Sequence, residues 1–64
     1  MIRLTRLNKQ PFVMNCELIK FLEETPDTVV TLVNNEKIVV SEPIGTIVDR
    51  VIEFQRRLHI FRTE

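Results

Sequence analysis

A chain of 64 residues with one cysteine, Cys16, and one histidine, His59, has no internal disulfide and no cluster with metal-ligand spacing. Nine basic residues cancel nine acidic ones, so the broad positive field behind sequence-independent nucleic-acid binding is missing. A hydrophobic fraction of 44% is too high for intrinsic disorder, and no run approaches the about 20 apolar residues of a membrane span.

Ile2 to Leu7 opens with strict alternation, Ile2 and Leu4 inward, Arg3 and Thr5 outward, which is the pattern of a half-buried strand rather than the apolar core of a signal peptide. Asn8 to Pro11 is a turn, and Phe12 to Met14 a short second strand whose proline belongs at a strand start or an edge. Asn15 to Glu24 admits two readings. Leu18, Ile19, Phe21 and Leu22 fit a helical stripe capped by Asn15, and they also fit a strand entered through one helical turn at Asn15 to Leu18. The segment is short and ends at a Pro-Asp turn, which favours the strand.

Thr28 to Val33 is rich in β-branched residues and reads as a strand. Asn34 and Asn35 tolerate the positive φ of a tight hairpin, and Glu36 to Ser41 is the partner strand. Pro43 then breaks the sheet and suits the first turn of a helix. From Ile44 to Phe61 the apolar residues Ile44, Ile47, Val51, Phe54, Leu58 and Phe61 step three, four, three, four, three, an a/d rhythm. Val48 and Ile52 widen the stripe. Asp49, Arg50, Glu53, Arg56 and Arg57 form the polar face.

The fold class expected is therefore α+β: a small curled antiparallel sheet of about five short strands with one C-terminal amphipathic helix, in a single domain over residues 1–64. A domain this small buries only about 60% of its unfolded surface. With neither disulfide nor metal as a staple, oligomerisation is the expected support. The stripe of Ile44, Ile47, Val51, Phe54, Leu58 and Phe61 reads either as core packed on the chain's own sheet or as a subunit or partner contact. Because one small sheet covers only one side of a helix, part of it, or a sheet edge, is the candidate contact. Arg50, Arg56 and Arg57 are the candidate polar interaction face. On that face, single substitutions are expected to be nearly neutral for stability.

Nothing in the chain suggests catalysis or a cofactor. Cys16 lies beside Glu17, an acidic neighbour that does not activate a thiol, and reads as a small buried side chain. His59, at a basic helix end, reads as an exposed polar residue. Glu23, Glu24 and Asp27 read as turn residues, Asp27 bonding an amide two residues on. A nucleic-acid-binding regulator is the alternative function: Arg3, Arg6 and Lys9 on the first hairpin and Arg56, Arg57 and Arg62 on the helix would have to share one face, and zero net charge disfavours it.

One resemblance adds to this. Met1-Ile2-x-Leu4-Thr5-x-Leu7-Asn8, Phe12-Val13-x-Asn15, then Leu18, Ile19, Phe21 and Glu24, Pro26-Asp27-Thr28-Val29-x-Thr31-Leu32, and Lys37-x-Val39-Val40-x-Glu42 resemble the small bacterial flagellar FlbD family, which includes the swarming-motility SwrD proteins. The likeness runs from Met1 to about Arg57, and Thr25-Pro26-Asp27-Thr28 is its most specific part. The family commonly carries glycine in the turns where this chain has Asn8-Lys9 and Asn34-Asn35-Glu36. Asparagine tolerates the same left-handed conformation. The resemblance implies a non-enzymatic cytoplasmic accessory protein of flagellar motility, peripheral to the motor, with motor or stator proteins as partners.

Overall fold

The computed structural model describes the backbone of residues 1–62 and the side chains of residues 1–58. The elements are strands β1 (Ile2–Thr5) and β2 (Pro11–Met14), a 3-10 turn (Cys16–Leu18), strands β3 (Ile19–Glu24), β4 (Thr28–Leu32) and β5 (Lys37–Val40), and helix α1 (Ile44–Arg62).

β1 and β2 pair antiparallel, Ile2 opposite Met14 and Leu4 opposite Phe12. Ile2, Leu4 and Met14 are buried, as the alternation requires. The connecting loop closes with Lys9 N–H donating to Arg6 O at 2.8 Å and Arg6 N–H to Gln10 O at 2.9 Å. The β4–β5 loop repeats this plan: Asn35 N–H donates to Leu32 O and Leu32 N–H to Glu36 O, both at 2.8 Å. In each loop the last residue takes the left-handed conformation, Lys9 and Asn35 both at φ 73°. In each, the asparagine before it accepts a side-chain bond from an amide two residues on, Asn8 from Gln10 and Asn34 from Glu36. The left-handed position expected of an asparagine thus falls on Asn35 in the second loop, but on Lys9 rather than Asn8 in the first.

The ambiguous segment resolves into both of its parts. Asn15 caps the 3-10 turn, its Oδ1 accepting from Glu17 N–H at 3.0 Å. β3 then pairs with β4 from Ile19 opposite Leu32 to Glu24 opposite Thr28, with a bulge between Ile19 and Phe21. The bulge explains the helix-like spacing. Ile19 and Leu22 are three apart, which in a regular strand points them to opposite faces. The extra residue turns both toward the core, where both are half-buried. At the next turn the Thr25–Pro26 peptide is cis. Among the described residues, the bonds to an amide two residues on come from Asn8, Asn15 and Asn34, and not from Asp27.

β4 lies between β3 and β5. Thr28, Val30, Thr31 and Leu32 on it are buried. The expected single sheet is in fact two small antiparallel sheets, β1-β2 and β3-β4-β5. They join where Arg6 bridges to Val40 and Ser41 N–H donates to Thr5 O at 2.8 Å. Ile2, Leu4, Met14, Cys16, Val30, Leu32, Val40 and Ile47 make the core that both sheets and the helix share. The architecture is α+β.

Candidate interaction surface

Two carboxylates set where α1 begins. Pro43 O accepts the first helical bond, from Ile47 N–H at 3.2 Å. The Ile44 N–H, one of the donors a helix start leaves unmatched, donates to Glu24 Oε1 at 3.1 Å. Glu24, expected only to decorate a turn, therefore caps the helix from 20 positions away. Its charge also suits the helix N-terminus.

Glu42 ties the helix start to β1. Its carboxylate accepts from the Thr5 N–H at 3.0 Å and the Thr5 hydroxyl at 2.9 Å, and faces the Arg50 guanidinium at 3.2 Å. The same arginine nitrogen donates to Arg3 O. Burial pushes the Glu42 carboxyl up, but the Thr5 amide and hydroxyl, its own amide and Arg50 together outweigh it and hold the group below its ordinary value. Arg50, read from the sequence as a free polar-face residue, is engaged in holding α1 to β1.

The helix stripe divides by depth. Ile47 is fully buried in the core, Val51 and Phe54 are half-buried against it, and Ile44 is half-buried at the helix start. Leu58 is 37% exposed, and Phe61 and His59 lie outside the described side chains. Val48 and Ile52 sit about 100° to 140° around the helix from Ile47. They are 41% and 46% exposed. The sequence marked these two only as widening the stripe. The signal was there, because an apolar arc wider than the sheet can cover must leave one flank open.

Two grooves flank α1. On one side Cys16, Ile19 and Leu22 face Val48, Val51 and Ile52, a mostly apolar lining. On the other, Met1, Ile2, Arg3 and Phe54 lie with Arg50, Glu53 and Arg57. Arg57 is mostly exposed and stands 3.7 Å from Glu53 one turn earlier, a contact of small worth. Arg56 is exposed on the helix. Arg3 and Arg57 do share a groove, whereas Arg6 lies over the Phe12 ring, 4.5 Å from its centroid. Arg62 lies outside the described side chains. Cys16 is buried and unpaired. Among the described residues no three of His, Cys, Asp and Glu are grouped as metal ligands, and no helix is long and apolar enough to cross a membrane. The arrangement offers contact chemistry: an apolar cleft beside a helix, with charges on the helix above it.

No curated protein and no solved structure matches the chain. A family described as Flagellar and Swarming motility proteins, FlbD, matches residues 1–59. The matched span holds every strand, the Thr5–Glu42 junction and most of the helix. With 59 of 64 residues inside it, the chain belongs to the FlbD family of flagellar and swarming motility proteins.

Proposed function

We propose that this protein is a non-enzymatic accessory factor of flagellar motility, of the kind the SwrD proteins represent. It works in the cytoplasm beside the motor, by protein–protein contact and as a homo-oligomer, and it supports motor power rather than filament assembly. Family membership supports the motility context. One observation supports contact as the mode of action: the apolar cleft between β3 and α1, where Val48 and Ile52 are left open to solvent. Covering those two side chains would remove apolar surface from water, the main gain of a protein–protein contact.

The test is a deletion strain complemented with point variants. Deletion is expected to impair swarming and lower motor torque while filaments still assemble. Ile52→Asp is expected to fail in complementation although the chain accumulates and folds. Normal swarming in the deletion strain overturns the motility reading. Full complementation by Ile52→Asp overturns the role of the cleft.

A further inference from the structure

The charges of α1 are not all matched within the chain. Glu42 takes Arg50, and Glu53 takes Arg57. Among the described residues, Asp49 and Arg56 take part in no ion pair. They lie seven positions apart, about 10.5 Å along the axis and nearly on one line. Ile52 borders that line and Val48 lies about a quarter-turn from it; with Ile19 and Leu22 they line the apolar cleft. Gly45 starts the same flank, and a Cβ added there meets no atom within 4 Å. Among the described residues, this side of the helix is only partly covered by the chain's own packing.

We infer that the occupant of the cleft is α1 of a second copy of this chain, running antiparallel, with a twofold axis passing beside Ile52. The charge pattern carries this. A twofold interface must be complementary to itself, each contact occurring twice. The midpoint of positions 49 and 56 falls next to Ile52. Antiparallel pairing about that point sets Asp49 opposite the partner's Arg56, and Arg56 opposite the partner's Asp49. Ile52 then meets the partner's Ile52 at the axis, and each helix covers the other's cleft. A parallel pair sets like charge on like charge. An unrelated helix gives no reason for acid and base to sit symmetrically about an apolar centre. The antiparallel pair also opposes the two helix dipoles.

This inference rests on the proposal that the protein works through contacts, and it names the contact. The test is sedimentation of the full chain across micromolar to millimolar concentration. The wild type is expected to reach twice the mass of one chain. Asp49→Arg and Arg56→Asp each turn two attractive pairs repulsive. Each should weaken association by about ten- to a hundredfold, taking an exposed pair as up to about 1 kcal/mol. An equimolar mixture of the two variants should recover wild-type association, because mixed pairing again faces opposite charges at both contacts. Ile52→Asp should abolish association with unchanged circular dichroism.

A wild type that stays monomeric, single variants that associate like the wild type, or a mixture no tighter than its components would each overturn the inference. The outcomes separate from those of the motility reading. A monomeric chain whose deletion still abolishes swarming removes only the self-pairing. A monomer whose Ile52→Asp variant fails in cells gives the cleft to a different protein and removes it too. A chain that pairs as described in a strain that swarms normally without it removes only the motility role.

Discussion

Thr5 and Glu42 stand 37 positions apart, yet the amide and hydroxyl of the one both donate to the carboxylate of the other. The contact lies where the two sheets meet and where the helix begins. Beside it, Ser41 bonds Thr5 O and Arg50 reaches from α1 to Glu42 and to Arg3 O. A carboxylate with three donors, nine-tenths shielded from solvent, holds three elements in one arrangement. Its bonds are charge-assisted and stronger than neutral ones.

Glu42 should make stability depend on acid pH. Its folded carboxyl titrates below the ordinary value of 4.5. A group lowered on folding contributes stability that is fully present above its unfolded value and is lost as pH falls through the folded value. The wild type should therefore lose stability on acidification below about pH 4.5 partly through Glu42. Glu42→Gln should be less stable at pH 7, and its difference from the wild type should shrink as pH falls. Urea melts of both chains from pH 7 to pH 3 check this. A difference that stays constant with pH would show that the charge of Glu42 is not what holds the junction.

Arg50→Asp should cost about 1–2 kcal/mol, more than an ordinary surface change. It removes donors from Glu42 and Arg3 O and sets a second carboxylate beside the first. The figure is discounted because the arginine side chain is 42% exposed. Ile47→Ala, at a fully buried position, should cost about 2–5 kcal/mol. Val51→Asp, at a half-buried position packed on the core, should cost several kcal/mol by setting a carboxylate among apolar side chains, comparable with the whole stability of so small a domain. Chemical denaturation gives the order: Val51→Asp worst, Ile47→Ala next, Arg50→Asp third, and exposed Ile52→Asp mildest. Arg50→Asp melting like the wild type would remove its structural role.

Lys9→Gly should stabilise the fold by about 1 kcal/mol. Lys9 holds a left-handed conformation that costs an L-residue roughly 1–2 kcal/mol and glycine almost nothing. Part of the gain is lost to the greater freedom of glycine when unfolded. Asn35→Gly, at the equivalent position of the other hairpin, should gain less, because asparagine tolerates this conformation better than lysine and because the Asn35 side chain also accepts from Lys20 Nζ at 3.1 Å. Thermal melts of the two variants side by side read the difference. Equal gains would mean that the two loops are not the same device.

Thr31→Val should stabilise by about 1 kcal/mol. The Thr31 hydroxyl is buried in β4 with no hydrogen-bond partner among the described residues, and an unmatched buried polar atom is a net loss. Valine keeps the shape and the β-branching that a strand favours. Thermal unfolding of the variant checks it; a loss of stability would mean that the hydroxyl finds a partner when the chain is assembled or bound.

Much of this molecule could be read along the chain. Hairpin alternation in Ile2 to Leu4, the β-branched run of β4 and the three-four rhythm of α1 are local patterns, set by backbone periods of about two and 3.6 residues. They located five strands and a helix, and the motif residues from Met1 to Glu42 pointed to the family. What a period cannot carry is which of several equivalent groups meets a distant one. That Glu24 caps the helix, that Glu42 takes Thr5, and that Arg50 leaves the polar face to join them all depend on strands brought together from far positions. The bulge beside Ile19 gave the strand a helix-like spacing as well, because inserting one residue shifts the alternation from that point on, and the choice for the strand rested on the segment's length and its closing turn. Likewise the stripe of α1 was legible as apolar, but only the placement of β1 and β3 against it decided that Ile47 is core and that Val48 and Ile52 face outward. Apolarity is a property of each side chain; burial is a property of what the rest of the fold sets beside it.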